Sequence, residues 1–493
     1  LHGAVEIAGR RAEVVIANPA GIDVDGAGFI NAQGVTLTTG QPQFSNGVLD
    51  GYRVEGGTVR IHGDGLNTGD ADYAAILARA AEIQAGVWAE ELEVVAGANR
   101  ISADRQTIEA IEGDGDTPGV AIDVAHLGGM YAGKIRLVAN ERGVGVNNAG
   151  RVVASQQLTV TADGRLENRG ELSSGGELRL AGRSGIDNQG EIQAGGNAAI
   201  SGQVVDNQGA IRAGADLDVT GRDALTNRSG ATLIAGGDAR LTATGSAGTI
   251  LSEQDATLAA GIRDGDPTAQ GDLQLTATQG IEANGLNLAA GGFYAEADTV
   301  SLEASRTQAR EIALTARNGN IDVSAAEVTV EQRLAANTAA TLRTDTATVQ
   351  AGQLDIAARD LSNRGGELSQ SGDTALLLEL EALDNRDGRL ASSGDMALHA
   401  DTLDNANGEI LSGGILSVDA GELDNAQGQL LAQRSLDLQA ASLNNADGTL
   451  GAVEEDLTVA TTGVIDNRDG SLEAGDRLTL NGQGLDNTGG QLQ

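Results

Sequence analysis

"LDNRDGRLASSGDMALHADTLDNANGEILSGG", residues 383–414, decides the fold. It opens on Leu-Asp-Asn and repeats those residues at 403–405. Aligned on the Asn, the unit recurs at Asn363, Asn385, Asn405, Asn425, Asn445, Asn467 and Asn487, with steps of 22, 20, 20, 20, 22 and 20 residues. An earlier run, Asn168, Asn188, Asn207 and Asn227, steps by 20, 19 and 20. A Gly follows closely, then an apolar residue two further on, as in Gly408 and Ile410 or Gly428 and Leu430.

One unit, 423–443, reads as three short strands joined by bends. Leu423 and Asn425 share a face because strand side chains alternate. Gly428 is expected to take positive φ in a turn. Leu430 starts a second strand, and Leu436, Leu438 and Ala440 point inward on a third, with Asp437 and Gln439 outward. Strand periodicity and a fixed return length describe an all-β, right-handed parallel β-helix with coils of about 20 residues. Each coil must superimpose on the next, so Leu stacks on Leu and Asn on Asn. A buried Asn needs partners, and identical amides above and below supply them as a ladder. Asn also tolerates the left-handed conformation of a sharp corner. The Asp of each unit is expected to point outward. A leucine-rich repeat has a similar period, but it closes with a helix or extended turn, whereas two alternating strands follow the Asn here.

The remaining composition agrees. The chain has 493 residues, a formal charge of −38, 71 Gly and no Cys. Only eight residues are aromatic, and six of them (Phe29, Phe44, Tyr52, Tyr73, Trp88, Tyr131) lie before residue 135. A thin aliphatic core needs few aromatics. Alternation such as "LDLQA" (436–440) and "LQLTA" (273–277) excludes disorder as the reading of the acidity. The strong acidity argues against nucleic-acid binding, which needs clustered Lys and Arg to neutralise phosphate, and Lys134 is the only lysine. Lack of Cys excludes thiolate metal sites. Stacked at ~4.8 Å per coil, about 24 coils would form a monomeric rod on the order of 110 Å long. Residues 231–350 keep the strands but lose the Leu-Asp-Asn register, and are read as coils with irregular corners. "AGIRDGDPTAQGD" (260–272) reads as an excursion loop. In "DYAAILARAAEIQAG" (72–86), Tyr73, Ile76, Leu77 and Ala80 sit at helical spacing, yet the stretch is assigned to a β-helix coil.

Two stretches of the first third are more specific: "IANPAGIDVDGAGFINAQGVTLTTG" (16–40) and "HLGGMYAGKIRLVANERGVGVNNAG" (126–150). With the segment between them they resemble the later part of the secretion domain of two-partner-secreted exoproteins. That group comprises the filamentous haemagglutinin-like adhesins and contact-dependent growth-inhibition proteins of Gram-negative bacteria. The units from 151 to 493 are similar to the haemagglutinin repeats of the same proteins. The resemblance implies export through an outer-membrane β-barrel transporter, display on the extracellular face of the outer membrane, and an unknown target-cell receptor. It implies a secretion motif at Asn18, Pro19, Gly21 and Ile22. The family pattern Asn-Pro-Asn-Gly-Ile has Ala20 at its third position here. The chain begins at Leu1 with no signal-peptide pattern and ends inside a repeat, "LDNTGGQLQ", so both ends are expected to be cut from something longer, with any export signal ahead of Leu1.

The rival reading is a secreted β-helix enzyme acting on acidic polysaccharide. Some parallel β-helices cleave acidic polysaccharides with clustered carboxylates and Ca²⁺. Asp384, Asp404 and Asp424 should stack, but they recur in every unit instead of gathering in one place, so the expected catalytic set is empty. His2, His62, His126 and His399 lack ligand spacing. "DVDGAG" (23–28) and "GDGDTPG" (113–119) lack the full spacing of a Ca²⁺ loop and read as turns. No metal and no cofactor is expected. Phe293 and Tyr294 are assigned to packing in an irregular coil.

Overall fold

The computed structural model describes residues 1–263, 265–267 and 270–493. Among the described residues there are strands and turns and no helix. The chain divides into two compact units, Leu1–Gly245 and Ser246–Gln493. Each is a parallel β-solenoid with coils of about 21 residues.

In the second unit the repeat builds columns. Leu383, Leu403, Leu423 and Leu443 pair in register on consecutive coils. Leu390, Ile410, Leu430 and Leu450 form another column. Leu416 pairs with Leu436, and Leu436 with Leu457. All of these side chains are buried. The expected third strand and the next Leu-Asp-Asn run together as one strand, Leu416–Asp424, whose pairing skips Gly421 at a bend. The irregular stretch keeps its coils, with strands such as Leu273–Ala277, Arg306–Ala316 and Glu327–Thr338. Phe293 is buried within Gly292–Ala297. Within the expected excursion loop, Ile262–Arg263 pairs antiparallel with Asp266–Pro267, while positions 264, 268 and 269 lie outside the described residues.

The first unit adds an element that periodicity does not reveal. Gln41–Ser45, Val48–Val54, Asn99–Ser102 and Ile108–Ala110 form a four-stranded antiparallel sheet. Asn46 and Gly47, at φ 52° and 80°, make its first hairpin turn. The sheet covers one face of the solenoid: Tyr52, Val54 and Ile101 pack on Ala75, Leu77 and Val95. Tyr73–Ala78 is therefore buried on both faces. A strand covered on both sides loses its polar alternation, which is why 72–86 also matches a helical period. Its strands are Tyr73–Ala78 and Ala80–Ile83.

Candidate functional site

Asn18 to Gly21 form a corner between Ala12–Ala17 and Ile22–Ile30, exposed at Asn18, Pro19 and Ala20. The Gly21 N–H donates to the Asn18 carbonyl at 3.0 Å, closing a four-residue turn with Pro19 at its second position. The Asn18 Oδ1 accepts from the Ala20 N–H at 3.2 Å, so the side chain caps its own turn. Gly21 takes φ 123°, a value that favours glycine, and Ile22 is buried. The turn lies against the next coil, where a Cβ on Gly57 would sit 2.6 Å from the Pro19 carbonyl oxygen. Ala20 is exposed, and the turn's hydrogen bonds use only its backbone.

The expected asparagines fall into two columns. In the first unit, each Nδ2 donates to the Oδ1 of the next coil: Asn168 to Asn188 at 2.7 Å, Asn188 to Asn207 and Asn207 to Asn227 at 2.8 Å. Asn148, outside the expected set although it sits at the same spacing, donates to Asn168 at 2.8 Å and starts this column. In the second unit the column runs Asn363, Asn385, Asn405, Asn425, Asn445 and Asn467, each step 2.7 Å. Asn467 then donates to Asn487 at 2.5 Å. Nδ2 also reaches backbone carbonyls, as when Asn405 donates to Gly408 at 3.2 Å and to Gln429 at 3.1 Å. Asn168, Asn188, Asn207, Asn227, Asn385, Asn405, Asn425, Asn445 and Asn467 have no exposed surface.

Two local expectations are corrected. Neither the Asn nor Gly428 takes positive φ; the residue before the Gly does, at Asp387, Asn407, Gln427, Asp447 and Asp469, each with φ between 56° and 58°. Gly428 is required for closeness instead. A Cβ there would lie 2.2 Å from the Asn405 carbonyl oxygen and 2.6 Å from the Asn425 Oδ1. The Asp residues, expected only to point outward, also hold the corners. Asp404 Oδ1 accepts from the Ala406 N–H at 3.1 Å and Asp424 Oδ1 from the Ala426 N–H at 3.0 Å, an Asx turn at each corner. Arginines bridge the column: Arg364 and Arg386 both reach Asp384 at 2.6 Å, and Arg386 reaches Asp404 at 3.3 Å. Burial pushes the Asp384 carboxyl up, but the bonds from Arg386 and Arg364 outweigh it and hold its pKa down at about 2.

The surface grooves are similarly self-paired. One of about 380 Å³ is lined by Tyr73, Glu91, Glu93, Arg105, Lys134 and Arg136 among others. Lys134 pairs with Glu91 at 2.7 Å, while Arg105, stacked 4.0 Å over the Tyr73 ring, reaches Glu93 at 2.9 Å. Among the described residues no three His, Asp or Glu gather where they could hold a metal ion. His62 lies 4.0 Å from Asp23 and His399 3.2 Å from Asp419, on different coils.

The chain belongs to the family of two-partner-secreted exoproteins. Residues 1–168 match the TPS secretion domain, and residues 315–380, 378–428, 416–468 and 454–493 match the haemagglutinin repeat. The toxin CdiA of Yersinia pestis is 38% identical over 382 residues, 77% of this chain and 11% of that protein. The tRNA nuclease CdiA-2 of Burkholderia pseudomallei is 46% identical over 168 residues, 34% of this chain and 5% of that protein. The chain thus spans about a tenth or less of the length of these relatives. The crystal structure of the filamentous hemagglutinin secretion domain is similar at 30% identity, over 40% of this chain and 67% of that one, with a TM-score of 0.32.

Proposed function

We propose that the chain is the secretion domain and stalk of a contact-delivered toxin. Residues 1–150 are read as the later part of the secretion domain and 151–493 as the haemagglutinin-repeat β-helix. A partner β-barrel transporter in the outer membrane exports the chain, with Asn18, Pro19, Gly21 and Ile22 forming the recognised corner. The folded stalk then carries a distal element on the outside of the cell. The observation that carries this reading is the similarity to toxin CdiA across both the secretion domain and the repeats, 77% of the chain. Catalysis is assigned to none of these residues. Adhesion is the second reading, favoured by the haemagglutinin repeats at 315–493.

The test is a co-culture. Cells producing the protein should arrest susceptible neighbours on contact, and deleting the transporter gene or replacing Asn18 and Pro19 by Ala should remove both the arrest and the surface antigen. Clumping of target cells without arrest would favour the adhesin. Surface antigen unchanged without the transporter would overturn the export route.

A further inference from the structure

Arg79 is buried, which is unusual for a guanidinium, and its partner is far away in sequence. Arg79 follows the strand Tyr73–Ala78, and Glu141 follows Gly129–Ala139. Between them lies Glu91–Ala96, paired to both. The two residues are thus two laps apart and 62 positions apart in the chain. Yet Arg79 Nη2 donates to Glu141 Oε1 at 2.9 Å and Nε donates to Oε2 at 3.2 Å, a bidentate pair. The side chains are only 7% and 14% exposed. Arg79 also donates to the Asp114 carbonyl, and Gly113 lies close against the guanidinium, where a Cβ would be 2.7 Å from Cζ. The Ala98 N–H donates to Glu141 Oε2 at 3.3 Å.

The lap between would ordinarily block this contact. Its corner residue is Gly97, at φ 122°; a Cβ there would stand 2.8 Å from Asn140 Oδ1, 3.1 Å from the Glu141 nitrogen and 3.2 Å from the Glu141 Cβ. Absence of that side chain opens the window through which Glu141 reaches back. A buried guanidinium without its carboxylate is strongly unfavourable, because its desolvation is left uncompensated. Stacking of the strand at 73–78 needs only its neighbours, including 92–96. Charge compensation at its end draws first on Glu141 and further on Asp114 and Asp116 of the 111–119 loop, all distant in sequence from the strand.

We infer that Arg79 and Glu141 form a closure latch, which holds the laps from residue 73 to 96 loosely packed until Glu141 docks through the Gly97 window. The latch converts stepwise stacking into one cooperative closure over three laps and the 111–119 loop. It rests on the first unit's geometry alone and stands independently of the export route.

Refolding of the full chain from denaturant, followed by pulsed hydrogen exchange and mass spectrometry, tests the order. Amides at 74–78 should gain protection in the same phase as those at 135–139. Protection at 74–78 in an earlier phase would overturn the latch. In the native chain, Glu141→Gln should raise exchange tenfold or more at 78–80, 111–119 and 140–144 together, leaving the Asn168–Asn227 coils unchanged. A rise confined to 140–144 would count against it. Should Glu141→Gln fail to refold, Arg79→Met with Glu141→Met remains decisive. Without charges to bury, 74–78 should now become protected before 135–139; a phase still shared would assign the coupling to stacking and refute the inference.

Discussion

From Asn148 to Asn207 the column of the first unit turns on Asn-x-Gly, and only its last member, Asn227, has the longer Asn-x-x-Gly of the Asn363–Asn487 column in the second unit. In the shorter corner the backbone leans on the preceding coil: the Arg169 N–H donates to the Asn148 carbonyl at 2.7 Å and the Gln189 N–H to the Asn168 carbonyl at 2.7 Å. In the longer corner the turn closes on itself, with the Gly408 N–H donating to the Asn405 carbonyl at 2.9 Å. The amide spacing is nevertheless the same, 2.7–2.8 Å at Asn168–Asn188, Asn188–Asn207 and Asn405–Asn425. The column is therefore set by coil stacking and the turn adapts to it. A third set of corners in the second unit makes the same point from the other side. Leu302, Val323 and Thr344 occupy the Asn position of the longer turn, and Ala304, Ala325 and Thr346 take its left-handed position at φ 54–56°. The turn forms without Asn.

If that separation of turn and column holds, removing one amide should cost the same in both units. Asn405→Leu leaves the Asn385 Nδ2 without its Oδ1 acceptor and the Asn425 Oδ1 without its donor. We expect a loss of about 2–3 kcal/mol, and a similar loss for Asn188→Leu, by denaturant unfolding of the full chain. Val323 shows that a branched apolar side chain fits the longer corner, so the loss measures hydrogen bonds rather than strain. A cost in only one unit would tie the column to its turn.

The glycines sharpen the comparison. Where the Asn column runs, the corner ends in Gly366, Gly388, Gly408, Gly428, Gly448, Gly470 and Gly490; where Leu302, Val323 and Thr344 replace it, the corner ends in Ser305, Ala326 and Ala347. Gly is thus demanded by two close oxygens: a Cβ on Gly408, Gly428 or Gly448 would meet the preceding coil's Asn carbonyl oxygen at 2.2 Å and the corner's own amide Oδ1 at 2.6 Å. Gly428→Ala should destabilise by about 1–3 kcal/mol through overpacking. Ala326→Gly, with no such oxygen to avoid, should cost only about 0.5–1 kcal/mol from backbone entropy. Equal effects would mean the close approach relaxes readily.

The two columns also begin differently. Asn363 Oδ1 accepts from the Thr344 hydroxyl at 2.8 Å. Asn148 stacks on Val124, and its buried Oδ1 has no donor. Val124→Thr should copy the cap and stabilise the first unit by about 1 kcal/mol, and Thr344→Val should destabilise the second by about the same. Thermal unfolding of each variant reads both signs. A neutral Val124→Thr would mean that oxygen is already satisfied, for example by water.

The period, the Leu columns and the Asn columns were legible because stacking obliges each coil to repeat its inward residues. What lay hidden has physical reasons too. The Asp of Leu-Asp-Asn looks like an exposed charge in the sequence, but its carboxylate closes an Asx turn, a role Asn444 fills equally well by accepting from the Ala446 N–H at 3.2 Å. The Gly of each corner suggests conformational freedom when its real constraint is a neighbouring coil's oxygen. The antiparallel sheet pairs segments about fifty residues apart, and no repeat announces such pairing. Its hairpin did carry a signal: "FSNGVL" (44–49) holds Asn-Gly between strand formers. Asn148 carries no such mark: it lies in "VNNAG" (146–150), without the Leu-Asp-Asn triplet and inside the stretch that resembles the secretion domain.

The smallest expected effect concerns the carboxylates beside the columns. Asp384 in the second unit is held down by arginine side chains against the opposing effect of burial. Asp163 in the first unit is also lowered, but by the Gly143 N–H first and the Arg183 side chain second. Both carboxylates favour the folded state when ionised. Their contribution is present above the unfolded pKa, ~3.9, and is lost as pH falls through the folded value, about 2 for Asp384. Arg386→Ala should raise the Asp384 pKa toward the ordinary carboxylate value, followed by NMR titration of its side chain, and molar salt should do part of the same. Arg183→Ala should leave much of the Asp163 lowering in place, because the backbone donor remains. The stability change in either case should be a few tenths of a kcal/mol, as for other half-exposed pairs. An Asp163 that returned fully to its ordinary value on loss of Arg183 would show that side-chain charge, not backbone geometry, governs the carboxylates of both units.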